Sequence, residues 1–261
     1  DTLIPGIDRD ALAQVSDRLM KGNEYKGIPF AFVVLHGGMP VAEAYREPYG
    51  RDTRFLSWSV AKSFTNALVG ILVREGRMDL LQPAGIEEWK DDDRSRITLN
   101  DLLQMQSGLK WNEDYGSRSD VNLMLFREGD MSRYAVSSPM EHPSGTHWYY
   151  SSGTANIISS LVRNEFDSDA ECYAFMRDQF FEKIGITDAV FETDPSGDFV
   201  GSSYLYATAR DYARFGLLYL NDGVFSGERI LPEGWVKYTR TPASGSGGKY
   251  GALFWLNIDG R

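Results

Sequence analysis

One stretch, residues 55 to 74, places the strongest constraint on what this chain can fold into. Its apolar residues recur at the spacing of an α-helix, and they are numerous enough to predict a helix that lies deep in a core. Ser57 and Ser59 precede the run, so either hydroxyl could cap the helix. Gly76 can end it near Arg74 in the left-handed conformation. The apolar positions are Val60, Phe64, Ala67, Leu68, Ile71 and Leu72.

The start of this helix carries a pair of residues that could take part in catalysis. Lys62 lies three residues after Ser59 and shares its helix face. The positive end of the helix dipole favours a developing alkoxide or oxyanion at Ser59, and a lysine whose pKa is lowered by burial can accept the hydroxyl proton. The alternative is that S-x-x-K occurs here by chance, with Ser59 as a cap and Lys62 on the surface. The charge of Lys62, at the start of a mostly apolar helix, needs a partner or a cleft. This requirement favours the catalytic interpretation over the chance occurrence.

Composition excludes several classes of partner. The 261 residues carry a formal net charge of −10, which argues against nucleic acid or an anionic membrane as the main partner. The sequence contains no run of 18 apolar residues that would predict a membrane span. Cys172 is the single cysteine, so no disulfide can form within the chain and we expect a buried thiol. The 14 Phe, 14 Tyr and 6 Trp residues could line an aromatic cleft.

Predicted strands lie near both ends of the sequence and predicted helices lie between them. Strands at 28–35 and 40–45 form a hairpin, and residues 250–257 resemble a further strand. This order predicts an α/β (α+β) fold, with a sheet domain formed by residues 1–79 and 201–261 and a mostly helical domain formed by residues 80–200. Besides the central helix, helices are predicted at 8–22, 98–105, about 119–128, after Gly153, at 170–184 and at 209–220; residues 110–145 otherwise look irregular.

Other catalytic chemistries find little support in the residues. His142 and His147 are five apart with Pro143 and Gly145 between them, which is not a zinc-type ligand set. No serine has G-x-S-x-G flanks, no glycine-rich phosphate loop joins a strand to a helix, and no carboxylate pair indicates a glycosidase. Serine plus lysine remains, and it needs a second proton-handling group. Tyr150, in a tight loop, is the candidate, with a role as one more core aromatic as the alternative.

Four stretches follow one another in an order and spacing that chance does not explain. They are Ser59-Val60-Ala61-Lys62, Leu102 to Leu109, Pro143 to Ser152, and Gly201 to Leu220. They resemble, respectively, the S-x-x-K, LLxHxSGL, PGxxxxYSN and G-x-x-STARDLARFG motifs of the serine β-lactamase and penicillin-binding-protein superfamily. The resemblance covers about residues 28–257 and points to the class C β-lactamase-like esterases and amidases. The stretches around Ser59 and Tyr150 are also similar to those of 6-aminohexanoate-oligomer hydrolases, which cleave short linear amides.

The resemblance implies an antiparallel sheet flanked by helices and a serine hydrolase that forms an acyl-enzyme on Ser59. Lys62 with Tyr150 would take the serine proton, and Tyr150 would protonate the leaving group and then activate water for deacylation. The backbone N–H of Ser59 would be one oxyanion donor. The expected substrate is a small ester, amide or peptide, with a linear amide oligomer as one candidate, and no metal or cofactor is expected. The alternatives are a β-lactamase or D-alanyl-D-alanine carboxypeptidase and, in another class, a non-catalytic ligand-binding member. A periplasmic or secreted location is implied, with a cytoplasmic one open; the oligomeric state is also open.

The sequence departs from the family pattern at two places. Ser152 replaces the asparagine of Y-x-N, the expected contact to the substrate amide, and its shorter hydroxyl bridges fewer groups. This argues against efficient β-lactam hydrolysis. Lys249-Tyr250-Gly251 fits K-x-G formally but coincides with the start of the family's YGxxWW strand. We therefore expect the third motif, K-T-G or H-x-G, beyond Arg261, so that one wall of the cleft and one oxyanion donor are missing from this chain.

Overall fold

The computed structural model describes residues 6–21 and 27–257, which form an α+β fold. Every strand pairing in this part of the chain is antiparallel, as expected. The helices are α1 (Arg9–Lys21), α2 (Ala61–Arg74), α3 (Leu99–Leu103), α4 (Asp120–Arg127), α5 (Met131–Val136), α6 (Ser152–Arg163), α7 (Asp169–Phe175), α8 (Ala209–Leu220) and α9 (Trp235–Arg240). The strands are β1 (Ala31–His36), β2 (Met39–Tyr45), β3 (Arg54–Leu56), β4 (Val190–Phe191), β5 (Leu205–Thr208), β6 (Val224–Phe225) and β7 (Glu228–Arg229). Gly22, predicted to end α1, lies outside the described residues.

Helix α2 is the centre of the molecule, as its apolar pattern predicted. Eleven of its 14 residues are buried, and Phe64 stacks on Phe215 of α8 with ring centroids 3.8 Å apart. Gly76 follows the helix with φ +71°, the left-handed conformation expected of it. The capping prediction was wrong, because a 3₁₀ turn at Trp58–Val60 precedes α2 and neither Ser57 nor Ser59 makes a side-chain cap.

Within residues 6–21 and 27–257, three small sheets flank the helices. Strands β1 and β2 form the predicted hairpin, with Ala31 opposite Tyr45. Strands β6 and β7 form a short second one. The remaining sheet has the order β3-β5-β4 and joins distant parts of the chain. Because the N–H of Ser57, just beyond β3, donates to the carbonyl of Leu205 at 2.8 Å, this sheet fixes the approach to α2.

The structure corrects two predictions made between residues 110 and 257. Residues 110–145 contain two helices, α4 and α5, where one was predicted. Residues 250–257 are not a strand: the chain folds back so that Tyr250 forms a single bridge with Trp255. Leu253 has φ +56° and its N–H donates to the carbonyl of Leu103 at 2.9 Å. Tyr250 and Trp255 pack against Trp148 and Tyr150, and Phe254 packs against α8.

Smaller predictions concern the helix at residues 170–184, the cysteine, membrane spans and the domain division. The predicted 170–184 helix is a continuous helical run, but it changes from α7 to a π-helical turn (Met176–Phe181) and then a 3₁₀ turn (Glu182–Ile184). Cys172 is buried and free, as expected. Among the described residues, no helix has both the length and the apolar character to cross a bilayer. The division into a sheet domain and a helical domain at residues 80–200 stays a prediction.

Candidate active site

Ser59 and Lys62 meet at the beginning of α2. Ser59 lies in the 3₁₀ turn and Lys62 is the second residue of the helix, so one helical turn brings their side chains together. The Nζ atom of Lys62 donates to Ser59 Oγ at 3.3 Å, to Ser152 Oγ at 3.1 Å and to the Ser202 carbonyl at 2.9 Å. Lys62 is only 1% exposed. The buried amine therefore contacts three uncharged oxygen atoms, one of which is the hydroxyl oxygen of Ser59.

Burial lowers the pKa of Lys62 to about 8, against an opposing effect of the negative charge of Glu113. Desolvation disfavours the ammonium form, and the three uncharged acceptors do not compensate as a carboxylate contact would. A lysine with this pKa is neutral in about one-tenth of molecules at pH 7, whereas an ordinary lysine is almost fully protonated. Lys62 can therefore accept a proton from Ser59 near neutral pH.

Tyr150 approaches the same two residues from the loop that precedes α6. The Nζ atom of Lys62 lies 4.9 Å from the centroid of its ring, and Tyr250 and Trp255 pack around that ring at centroid distances of 5.6 and 5.2 Å. Burial raises the pKa of Tyr150 to about 12, helped by the charge of Glu113 and opposed by side-chain hydrogen bonds with Ser59 and Trp255. The phenol is therefore protonated at neutral pH and holds a proton that a leaving group more basic than itself could take.

Ser152 lies at the start of α6 and is 1% exposed. Its hydroxyl accepts from Lys62 and donates to Glu113, and its backbone N–H donates to Glu113 at 2.9 Å. These bonds hold Ser152 between the amine of Lys62 and the carboxylate of Glu113, so that Ser152 helps to fix the position of the amine. Substrate contact by Ser152 stays a prediction, as does the oxyanion role of the Ser59 N–H.

Glu113 is the residue that the sequence interpretation missed. It comes from the irregular segment before α4, and it accepts hydrogen bonds from Ser152 and from two aromatic side chains, Trp111 Nε1 and Tyr115 Oη. Its charge also raises the pKa of both Lys62 and Tyr150. The sequence pointed to such a residue only indirectly, because a buried lysine favours a compensating negative charge nearby. No motif or spacing distinguishes Glu113 from the other acidic residues around it.

The two histidines considered as metal ligands do meet in space. The loop between them places the rings of His142 and His147 with centroids 4.1 Å apart, although their separation in sequence argued against a shared helix face. No group of three or more His, Cys, Asp and Glu side chains within residues 6–21 and 27–257 could hold a metal ion.

Comparison with known proteins places this arrangement in a family. The sequence profile described as Beta-lactamase matches residues 12–260. The chain belongs to the β-lactamase family. It is 30% identical over 220 residues to the 6-aminohexanoate-dimer hydrolase of Paenarthrobacter ureafaciens, a match that covers 79% of this chain and 56% of that protein. The chain therefore spans little more than half the length of this relative.

Solved structures agree with this assignment. A Bacillus anthracis protein provisionally named 6-aminohexanoate-dimer hydrolase superposes with a TM-score of 0.75 at 26% identity, covering 88% of this chain and 66% of that one. The D-alanine carboxypeptidase AmpC from Burkholderia cenocepacia superposes with a TM-score of 0.63 at 21% identity, covering 89% and 69% of the two chains. At that identity the second match establishes the fold alone.

Proposed function

We propose that this chain is a serine hydrolase that cleaves small esters or short amides through an acyl-enzyme on Ser59. The observation that carries the proposal is the contact of a buried lysine with a serine hydroxyl, 3.3 Å from Nζ to Oγ, combined with a lysine pKa of about 8. The amide branch is favoured by the 30% identity to a 6-aminohexanoate-dimer hydrolase. A linear amide oligomer is therefore one candidate substrate.

The proposed reaction divides the proton transfers between Lys62 and Tyr150. Ser59 Oγ attacks the carbonyl carbon while its proton passes to the neutral amine of Lys62. The bond to the leaving oxygen or nitrogen then breaks, and the leaving group takes the phenolic proton of Tyr150, which the ammonium of Lys62 restores. Water next attacks the acyl carbon and gives a proton to the neutral amine of Lys62, since the phenol of Tyr150 is already reprotonated. Lys62 then returns that proton to Ser59 Oγ as the ester bond breaks.

Covalent labelling tests the nucleophile directly. Intact-protein mass spectrometry after reaction with a fluorophosphonate should show one adduct on the wild type and none on Ser59→Ala. Ser57→Ala is the matched control, because this neighbouring serine makes hydrogen bonds to backbone carbonyls and should leave labelling intact. Equal labelling of the wild type and Ser59→Ala would contradict the assignment.

Substrate preference is tested separately by initial rates on 4-nitrophenyl butyrate, the 6-aminohexanoate dimer and nitrocefin. We expect the ester and the linear amide to be cleaved faster than the β-lactam, because Ser152 stands where the family has asparagine. Rapid turnover of nitrocefin would favour the β-lactamase alternative. Thermal stabilisation by these compounds with neither turnover nor labelling would favour a non-catalytic ligand-binding protein.

A further inference from the structure

A cleft beside Ser59 is built mainly from apolar and aromatic side chains. Its volume is about 450 Å³, within the usual range for small-molecule pockets. None of the residues that line it is charged. They are Trp58, Ser59, Tyr115, Asn122, Leu125, Phe126 and Ser203. Because the candidate nucleophile lines this cleft, a group that occupies it lies next to the carbon that Ser59 would attack.

The aromatic rings of the cleft face solvent to an unusual extent. Trp58, Tyr115 and Phe126 are 53%, 61% and 65% exposed, and they lie around one opening. Clustered exposed apolar side chains of this kind mark binding sites more often than free surface. Trp58 also has φ +44°, a conformation that is costly for a bulky residue and that recurs at functional sites.

The walls of the cleft are connected to one another. The ring of Trp58 packs edge-on against Tyr204 at 6.3 Å, and the hydroxyl of Tyr204 donates to the carbonyl of Leu125 at 3.2 Å. The Trp58 wall and the α4 wall are therefore linked through one tyrosine. Such a connection restrains the two walls relative to each other, and restraint of a binding site reduces the entropic cost of binding.

The polar groups of the cleft are already engaged in holding its walls. The amide nitrogen of Asn122 donates to the backbone carbonyls of residues 114, 115 and 117, and the hydroxyl of Tyr115 donates to Glu113 at 2.6 Å. A charged group entering this cleft would lose water without a charged partner among the lining residues, which is unfavourable. An alkyl chain would instead gain from leaving water.

We propose that this cleft binds an uncharged, mainly alkyl acyl chain of the substrate, with Trp58 and Phe126 determining chain preference. The inference rests on the proposed function, since it assigns the acyl side of the same reaction. Tyr150, the proposed donor to the leaving group, does not line this cleft, which is why the occupant is the acyl group. The terminal ammonium of a 6-aminohexanoyl group would meet no charged side chain among the lining residues, so we expect an uncharged acyl chain to be preferred to it.

The test compares 4-nitrophenyl acetate, hexanoate and 6-aminohexanoate on the wild type, Phe126→Ala, Trp58→Ala and the control Leu220→Ala. Leu220 is 80% exposed on α8 and is not part of the cleft. Each methylene that leaves water favours binding by about three- to fourfold, so four partly covered methylenes should raise kcat/KM for hexanoate at least ~10-fold over acetate. The value of kcat/KM for the hexanoate ester should exceed that for the 6-aminohexanoate ester by a similar factor.

In Phe126→Ala and Trp58→Ala the ratio of hexanoate to acetate should fall at least ~3-fold, as expected when one wall of an apolar site is removed. Leu220→Ala should keep the wild-type ratio. The proposal is overturned if the wild type hydrolyses hexanoate and 6-aminohexanoate equally well, or if the wall variants lower the rates for acetate and hexanoate by one common factor.

A binding measurement separates this inference from the proposed function. Isothermal titration of hexanamide and 6-aminohexanamide into Ser59→Ala requires no catalysis, and hexanamide should bind at least ~10-fold more tightly because its chain end is uncharged. If the wild type fails to label at Ser59, the proposed function fails, and this titration still decides the cleft. If Ser59 labels but the two amides bind alike, only the inference about the cleft fails.

Discussion

Helices α1 and α2 have nearly equal lengths, 13 and 14 residues, and each carries a lysine near one end. Lys21 on α1 is 75% exposed and forms an ion pair with Asp17, its Nζ 2.9 Å from Oδ1. Lys62 on α2 is buried, its hydrogen bonds go to uncharged oxygens, and its pKa is lowered to about 8. The same side chain is thus a solvated cation in one helix and a candidate base in the other.

The surroundings of each helix explain the difference. Only Met20 is buried on α1, so a charge there keeps its water. Helix α2 is covered on nearly all sides, and a charge there must be neutralised or stabilised by other groups. Two pairs of variants, Lys62→Met with Lys21→Met and Glu113→Gln with Asp17→Asn, test how far this difference determines function and stability.

The largest effect is expected on activity. Lys62→Met should lower kcat/KM for 4-nitrophenyl butyrate by about 10²- to 10⁴-fold, the usual contribution of a general base. Lys21→Met removes an exposed charge far from the chemistry and should change the rate less than about twofold. Circular dichroism checks that both variants are folded. A Lys62→Met enzyme that retains more than a tenth of wild-type activity would remove Lys62 from its proposed role.

The next effect is a pH-dependent change in stability. The folded pKa of Lys62 is about 8, below its ordinary value of 10.5, so between these values the unfolded chain binds more protons. The free energy of unfolding of the wild type therefore gains a contribution from Lys62 as the pH rises from 8 towards 10.5. From pH 7 to pH 10, the wild type should gain about 2 to 3 kcal/mol relative to Lys62→Met.

Urea unfolding at pH 7, 8.5 and 10 measures this difference, and Lys21→Met serves as the control that should follow the wild type across the range. Tyrosine ionisation is common to all three proteins and cancels in the comparison. A constant gap between the wild type and Lys62→Met would show that Lys62 carries its charge in the folded state throughout.

The smallest effect concerns the acidic residue associated with each lysine. Glu113→Gln replaces one of two acceptor oxygens that Ser152, Trp111 and Tyr115 use, and should lower the free energy of unfolding by about 1 to 3 kcal/mol. Asp17→Asn, at an exposed ion pair, should change it by less than about 1 kcal/mol. Thermal and urea unfolding of both variants measure the two changes.

Glu113→Gln also carries a signature in the pH profile. The charge of Glu113 raises the pKa of Lys62, so its removal lowers that pKa and moves the acidic limb of kcat/KM to lower pH. Asp17→Asn should leave the limb in place. An unmoved limb in an active Glu113→Gln enzyme would mean that Glu113 acts only as a structural acceptor.

Local patterns predicted most of the framework. The apolar spacing of α2 and α8 and the Gly37-Gly38 turn of the hairpin each depend on neighbouring residues, which a sequence displays directly. The predicted closeness of Ser59 and Lys62 came from helical spacing, and that of Tyr150 from the need for a second proton-handling group together with the motif resemblance; the structure does bring the three together. Their catalytic roles stay predictions that the experiments above address.

The contact between Glu113 and Ser152, the turn at residues 250–257 and strand β4 were not predicted from the sequence. Glu113 reaches Ser152 across 39 positions, and no repeating pattern links the two. The turn at residues 250–257 looked like a strand because its aromatic residues suit one, but they pack against Trp148 and Tyr150 instead. Strand β4 has only two residues, too few for an alternation to be recognised.

The cleft wall on α4 has a consequence for how such a protein can diversify. Leu125 and Phe126 belong to a helix that contributes none of the three oxygens bonded to Lys62. Under the proposed acyl-chain role of the cleft, a substitution at Phe126 would alter which chain fits while the serine–lysine pair keeps its geometry. Selectivity and bond cleavage would then reside on separate helices, so that one can be changed without the other.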